Sequence, residues 1–173
     1  MPKEIAWEIV KENNIQKINY LITNLHQPEI ELDVISLIYE ISLIKPDLLI
    51  DHFSDIAICL NSNNSNVHKF TLLTFSNLAY KKLENIWDCR DRICDIITAG
   101  DILVLESGLS LFLEMAKFGD EKVRNEASHC ISVILEILPV ENLQKFTKAI
   151  AESDILFKEK NLTIIDKRTS LLN

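Results

Sequence analysis

The chain has 173 residues, 47% hydrophobic and 25% charged, and this balance excludes an intrinsically disordered protein, which would carry far fewer apolar residues. Only 3 glycines and 4 prolines are present, and this scarcity of turn residues favours an all-helical (all-α) fold. The net charge is −8, and because an acidic surface repels phosphate backbones, the charge argues against nucleic acid as a partner.

Apolar residues recur every three or four positions along most of the chain, which is the spacing of one face of an α-helix. The first helices are predicted over residues 3–13, 15–25, 29–44, 46–60 and 66–80. The earliest of them is expected to turn inward Ile5, Ala6, Ile9 and Val10. Pro28 and Pro46 mark helix boundaries because proline disfavours helix in the residue before it, and the polar run at 61–65 indicates a loop.

The second half of the chain contains a predicted helix pair around a polar break at residues 119–122. The helix before the break is expected to begin near Leu105, and the helix after it is expected to end near Leu138. An additional helix is predicted over 84–98, and another over 140–152. The remaining residues to 173 are expected to form an irregular last helix and tail that cap the final apolar face.

One apolar spacing, at offsets 0, +4, +8 and +11, occurs three times. The three stripes are Ile30, Val34, Ile38 and Ile41; Val67, Thr71, Phe75 and Leu78; and Val123, Ala127, Ile131 and Ile134. Pro46 and Pro139 each stand sixteen residues after the start of a stripe. This recurrence predicts a single domain over 1–173, with repeats at about 3–45, 46–80 and 101–138, an insertion at 81–100 and a cap at 139–173.

Several local motifs between residues 15 and 138 resemble armadillo and HEAT repeats. Val123, Ala127 and Ile131 look like the V-x-x-x-A-x-x-x-L core of the third armadillo helix. The segment Phe-Ser-Asn-Leu-Ala is similar to the armadillo Leu-Ser-Asn-Leu-Ala, with Asn77 at the family's asparagine. Gly108 looks like the glycine between the first two helices of an armadillo repeat.

The resemblance implies a right-handed α-α superhelix that acts as a scaffold, binding a protein or peptide on its concave face without catalysis. In nuclear-import members of the family, a tryptophan one turn before the asparagine alternates with it along the groove. Here Leu73 occupies that tryptophan position beside Asn77, so recognition of basic localisation peptides is not expected.

The columns at offsets +2, +6 and +10 from each stripe start are the predicted groove surface. They comprise Leu32, Ser36, Glu40, Lys69, Leu73, Asn77, Asn125, His129 and Val133. Stacked repeats would align them into a mixed polar and apolar surface suited to an extended peptide or a helix. The alternative is that they form an ordinary solvated face.

The predicted insertion holds a second candidate contact surface around Trp87, a residue type enriched at interface hot spots. Arg90 and Arg92 beside it are suited to an acidic partner, or to pairing with Asp88 and Asp91. The simpler interpretation of Trp87 is that it packs the additional helix onto its neighbours.

No catalytic, cofactor-binding or metal-binding motif is recognisable among the four histidines and four cysteines. Cys59 and Cys130 are interpreted as core thiols, and Cys89 and Cys94 are too far apart for a redox dithiol motif. Reduced cysteines and an N-terminus unlike a signal peptide favour a cytoplasmic protein, and acidic residues interrupt every candidate membrane span.

Two other functions remain open at this stage. One is a HEAT-like nucleic-acid-processing enzyme such as a DNA glycosylase, which would line the groove with basic residues, whereas Lys69 is the only basic residue of the nine groove positions. The other is a self-assembling structural subunit, a homodimer formed through the exposed face of a terminal repeat.

Overall fold

The computed structural model describes residues 2–153 and 158–170, and every regular element in these ranges is a helix. The α-helices are α1 (Pro2–Lys11), α2 (Ile15–Asn24), α3 (Glu31–Ile44), α4 (Phe53–Ala57), α5 (Ser65–Asp88), α6 (Arg90–Ala99), α7 (Ile102–Phe118), α8 (Glu121–Ile137), α9 (Val140–Glu152) and α10 (Lys158–Ser170). Two 3-10 helices, Pro46–His52 and Ile58–Asn61, flank α4. The predicted all-α class is confirmed, and none of these helices combines the length and hydropathy that crossing a bilayer requires.

Side-chain caps define the beginnings of the two helices around the polar break. The Asp101 carboxylate accepts hydrogen bonds from the backbone N–H groups of Leu103 and Val104, at 2.9 and 3.1 Å, where α7 begins. The Asp120 carboxylate accepts one from Val123 at 2.9 Å, where α8 begins. Because each cap satisfies N–H groups that have no partner within the helix, the predicted break between the two helices forms where the sequence indicates.

The predicted helix over 46–60 is wrong, since this segment is a 3-10 helix, a short α-helix and a second 3-10 helix. Phe53, Ile56 and Cys59 are all buried, and their spacing of three residues is the period of a 3-10 turn.

The predicted helix boundaries around the insertion are also wrong. α5 continues past residue 80 through a kink at Lys82, where the backbone leaves helical values (φ −119°, ψ 21°), and ends at Asp88. Beyond the kink, Ile86 is fully buried in the core. A new helix then begins at Arg90, so the predicted helix over 84–98 is divided at Cys89.

The first, third, fifth and seventh α-helices lie side by side in chain order. α1 packs against α3, α3 against α5, and α5 most extensively against α7. α9 joins the far side of this row through Glu106 of α7, which accepts a hydrogen bond from Asn142 at 2.5 Å and forms an ion pair with Lys145. α8 packs mainly against α7 and α10, outside the row.

The three predicted apolar stripes are buried, apart from the half-buried Ile30 at the start of the first. In α1, Ala6 and Ile9 are buried as predicted, but Ile5 is 47% exposed because α1 ends the row and has a neighbour on one side. The expected stacking of the stripes in α3, α5 and α8 is not observed, since α7 is the helix beside α5. Gly108 lies inside α7, not between two helices.

Candidate protein-binding groove

A groove of about 940 Å³ runs across the row formed by α3, α5, α7 and α9. This volume is at the upper end of what ligand pockets in proteins enclose. Its walls are Tyr39 from α3; Leu73, Ser76, Asn77 and Tyr80 from α5; Ser110, Leu113, Glu114, Ala116, Lys117 and Phe118 from α7; Arg124 from α8; and Lys145, Phe146, Ala149 and Glu152 from α9, followed by Ser153.

The floor and rim of the groove present aliphatic and aromatic side chains. Leu73 and Leu113 are half-buried on adjacent helices. Tyr80 is 39% exposed and Phe118 is 42% exposed, and their ring centroids lie 6.5 Å apart where α5 meets α7. Aromatic groups held at a rim in this way offer a large contact area with little conformational freedom to lose on binding.

One polar wall of the groove is fixed by a hydrogen-bond chain between α3 and α5. The Asn77 amide donates to the Ser42 hydroxyl at 2.8 Å, and that hydroxyl donates to the backbone carbonyl of Tyr39 at 2.6 Å. Ser42 is buried and Asn77 is half-buried, so these two hydrogen bonds hold α3 and α5 in register. Asn77 therefore helps to form the wall of the groove, and among the described residues no group donates a hydrogen bond to its side-chain carbonyl oxygen.

The charged side chains around the groove are largely matched by partners within the chain. Lys117 lies 3.3 Å from Glu114, and Lys145 pairs with Glu106. Arg124 donates to two backbone carbonyls at the end of α7, at 3.3 and 3.4 Å. The walls therefore combine both signs of charge and do not form a basic channel.

A second polar cluster connects the rim to the 3-10 helix Pro46–His52. Lys81 and Tyr80 donate to the Asp47 carboxylate at 2.6 and 2.5 Å, and these two hydrogen bonds lower the pKa of Asp47. The contacts orient the Tyr80 ring at the edge of the groove.

Only two members of the predicted groove surface line this groove, Leu73 and Asn77. Ser36 is half-buried in α3, and its hydroxyl donates to the Asp33 carbonyl at 2.8 Å. Glu40 is also half-buried on α3, and Lys69 places its ammonium 4.9 Å from the Phe70 ring centroid.

The predicted positions on α8 lie elsewhere on the molecule. Asn125 lines a shallow depression at the beginning of α8, and His129 and Val133 are exposed further along the same helix. They fall outside the groove because α8 packs against α7 and α10, so the column of α8 does not continue that of α5. Leu32 lines a third depression, near the loop at 61–64.

The candidate residues of the insertion are engaged within the chain. Trp87 is half-buried against the core, with the Arg90 guanidinium carbon 5.0 Å and the Lys122 ammonium 6.0 Å from its ring centroid. Arg90 also lies 3.7 Å from the Asp91 carboxylate, and Arg92 donates to the Leu60 carbonyl at 3.1 Å. These contacts favour the simpler interpretation, in which Trp87 packs α5 and α6 together and is not a free interface residue.

Sequence reasoning missed the groove residues contributed by α7 and α9. The signal was present in α7, where Ser110, Leu113, Glu114 and Lys117 recur every three or four positions opposite the buried face. Because the repeats were aligned on the stripe of α8, the groove surface was predicted on α8, and the groove residues of α7 were overlooked.

Among the described residues, no three His, Cys, Asp or Glu side chains are grouped so that they could hold a metal ion. No protein-family model, curated protein or solved structure matches this chain. The groove thus combines an apolar floor, aromatic rims and paired charges.

Proposed function

We propose that the protein is a cytoplasmic, non-catalytic binding module that holds a segment of another protein in the groove. In this proposal the chain is a short right-handed superhelix of armadillo or HEAT type, and its row of α3, α5, α7 and α9 provides the concave face. The groove of about 940 Å³, with its apolar floor, is the observation that carries the proposal.

The composition of the walls favours an amphipathic helix or extended segment as the bound element. Leu73, Leu113 and Phe118 are apolar side chains in these walls and suit the apolar face of such a segment. Hydroxyl and amide groups of Ser76, Asn77 and Ser110 lie along the same walls and suit backbone or polar side-chain groups. The matched charges favour a partner segment without a strong net charge.

The nucleic-acid-processing alternative has less support. A groove that tracks phosphates would present several free cations, because lysine and arginine side chains neutralise the phosphate charges. Here Lys117 and Lys145 have carboxylate partners, and Arg124 donates to backbone carbonyls.

The test is an affinity purification with quantitative mass spectrometry, comparing two double variants of the whole chain. Leu73→Lys with Phe118→Lys places two charges in the groove. Val133→Lys with Ile137→Lys is the matched control, because these two residues are 44% and 54% exposed on α8, away from the groove. Both variants are first checked for wild-type helicity.

The proposal predicts a partner that the wild type and the control retain and that the groove variant loses. A direct titration with that partner should then show affinity weakened by about tenfold or more, the order of effect expected for hot-spot positions. Partners retained equally by both variants would contradict the groove as the binding site.

Self-association is a second candidate, favoured by exposed apolar side chains at the first end of the row. They are Ile5, Trp7, Ile15 and Tyr20, exposed by 47%, 57%, 46% and 68%. Sedimentation equilibrium over a wide concentration range would measure the mass, and Trp7→Glu with Tyr20→Glu should restore the monomer if these residues join two copies. A monomer at all concentrations would contradict this candidate.

A further inference from the structure

The last two helices of the row, α7 and α9, are joined by polar contacts near their beginnings. Glu106 of α7 accepts a hydrogen bond from Asn142 of α9 at 2.5 Å and forms an ion pair with Lys145 of the same helix. Towards their ends the two helices both line the groove, α7 as far as Phe118 and α9 as far as Glu152. Glu106, Asn142 and Lys145 therefore form a polar latch at one end of the space between the two helices.

The backbones of α7 and α9 do not pack closely, unlike those of the other neighbours in the row. α1 packs directly on α3, α3 on α5, and α5 on α7. α7 and α9 lie wholly within the part of the chain that the structure describes, yet the close packing partner of α9 is α10, which in turn packs on α8. α9 and α10 thus form a helix pair, here called the arm, that is set apart from the packed row.

The contact between the arm and α8 contains buried polar groups that are only partly satisfied. The buried Ser132 hydroxyl of α8 donates to the side-chain carbonyl oxygen of the buried Asn161 of α10 at 2.6 Å. Arg168 of α10 donates to two backbone carbonyls at the end of α8, at 2.6 and 2.8 Å. Among the described residues, the Asn161 amide nitrogen and the buried Ser128 hydroxyl have no hydrogen-bond partner. Because water satisfies such groups once they are exposed, separating this contact costs less than separating an apolar contact of the same size.

A two-residue connection joins α8 to the arm. Leu138 and Pro139 both have extended backbone, with ψ 137° and 144°, between the last residue of α8 and the first residue of α9. Hinges in proteins are residues of this kind, at the ends of regular elements, where a few backbone dihedral angles absorb a movement. Since the proline ring fixes its own φ, the rotation is confined to Leu138 and to ψ of Pro139, and the arm has a restricted direction of movement.

We propose that the arm is a hinged element that pivots about the latch and about Leu138 and Pro139, so that the groove between α7 and α9 changes its width. A helix pair held by a polar latch and a partly satisfied polar contact separates at a lower free energy than the packed helices α3, α5 and α7. The pivot is a property of the free chain. Its consequence for binding, that the groove adjusts to segments of different bulk, rests on the proposed function.

The test measures two distances in the full-length chain by double electron–electron resonance. Nitroxide labels are attached to a genetically encoded ketone amino acid, so that the four cysteines stay in place. One labelled pair spans the groove, from Lys117 of α7 to Lys148 of α9, and the reference pair joins Lys117 to Glu84 of α5; all three positions are exposed. The proposal predicts a clearly broader distance distribution for the pair that spans the groove.

Charge variants at the latch test its role in the same experiment. Glu106→Lys replaces the ion pair with a repulsion and should shift the distances across the groove to longer values. Glu106→Lys combined with Lys145→Glu should restore the wild-type distribution, since the ion pair forms again with the charges exchanged. Asp47→Lys is the matched control, because it removes the ion pair between Asp47 and Lys81, away from the latch, and should leave the distances across the groove unchanged.

Equal widths for the two labelled pairs in the wild type would overturn the proposal. An unchanged distribution in a folded Glu106→Lys variant would do so too, as would a variant in which both pairs broaden alike, because that is a loss of packing throughout the chain. If circular dichroism shows that Glu106→Lys does not fold, the wild-type comparison and the charge-exchanged double variant decide the question. These distances are measured without a partner, so a rigid arm would leave the groove able to bind, and a groove that binds nothing would leave the hinge intact.

Discussion

α5 and α8 carry the same apolar spacing, and both bury it, yet they have different neighbours. The stripe of α5, from Val67 to Leu78, lies in a helix between α3 and α7, whereas the stripe of α8, from Val123 to Ile134, lies in a helix between α7 and α10. The partly exposed face of α5 lines the groove, whereas the exposed face of α8 lies outside it. A periodic pattern thus specifies which face of a helix is buried, but not which helix covers it.

The largest expected effect is in the core that α5 forms. Phe75 is fully buried and stacks on Phe53, with ring centroids 4.7 Å apart. Phe75→Ala should lower the free energy of unfolding by about 3–5 kcal/mol, because it leaves a cavity where a large aromatic side chain was packed. Urea denaturation followed by circular dichroism measures the change. Phe118→Ala at the exposed rim is the control, and equal losses in the two variants would contradict this packing.

A smaller effect is expected where α7 meets α6. Gly108→Ala would ordinarily favour a helix, but here the new methyl group would overlap Ile97, so it should destabilise the fold by about 1–3 kcal/mol. Combining it with Ile97→Val should give a loss smaller than the sum of the two single losses, since the shorter side chain makes room. A stabilising Gly108→Ala would show that the two helices do not approach at this point.

Asn77 and Asn125 test the comparison between α5 and α8 directly, because both were predicted to line one groove. Asn77→Ala removes the hydrogen bond to the buried Ser42 hydroxyl and should cost about 1 kcal/mol. Asn125→Ala, at an exposed position of α8, should stay within about 0.5 kcal/mol of the wild type. If chemical denaturation gave equal losses in the free energy of unfolding for the two variants, the two asparagines would have equivalent surroundings.

The smallest effect concerns the pH dependence of stability. Desolvation is the main cause that lowers the pKa of His68 below 6.5 in the folded chain, with Arg92 adding to it and Glu31 and the Leu60 and Ser62 backbone opposing it. As pH falls below 6.5, the unfolded chain therefore binds a proton first, and the folded state loses stability until the lower folded pKa is passed.

The variant that tests this prediction is His68→Gln. It should lose less stability than the wild type between pH 6.5 and more acidic conditions, as measured by urea midpoints across that range. His129→Gln, measured in parallel, corrects for the removal of a histidine as such. A wild type and a His68→Gln variant with parallel pH profiles would contradict the prediction.

Much of the local structure could be predicted from sequence, for physical reasons. Residues 140–152 were predicted as a helix and form α9 with those limits, since Pro139 begins it and the apolar residues Leu143, Phe146 and Ile150 follow at helical spacing. The break before α8 was equally predictable, because Gly119 and the capping Asp120 stand together.

What could not be predicted depends on contacts between distant parts of the chain. The kink at Lys82 has no proline or glycine to mark it, and it arises where α5 passes from the packing of Leu78 to that of Ile86. The groove needs Leu73 of α5 to line the same cavity as Leu113 and Phe118 of α7, and the periodicity of each helix alone contains no information about that pairing.

The central claim is that α7, and not α8, lies beside α5 and completes the groove. The most direct test is a nuclear Overhauser experiment on the labelled full-length chain, observing the rings of Tyr80 and Phe118 and the methyl groups of Leu73. The account predicts cross-peaks between the Tyr80 and Phe118 rings, whose centroids lie 6.5 Å apart. Cross-peaks from Leu73 to His129, with none between Tyr80 and Phe118, would contradict it.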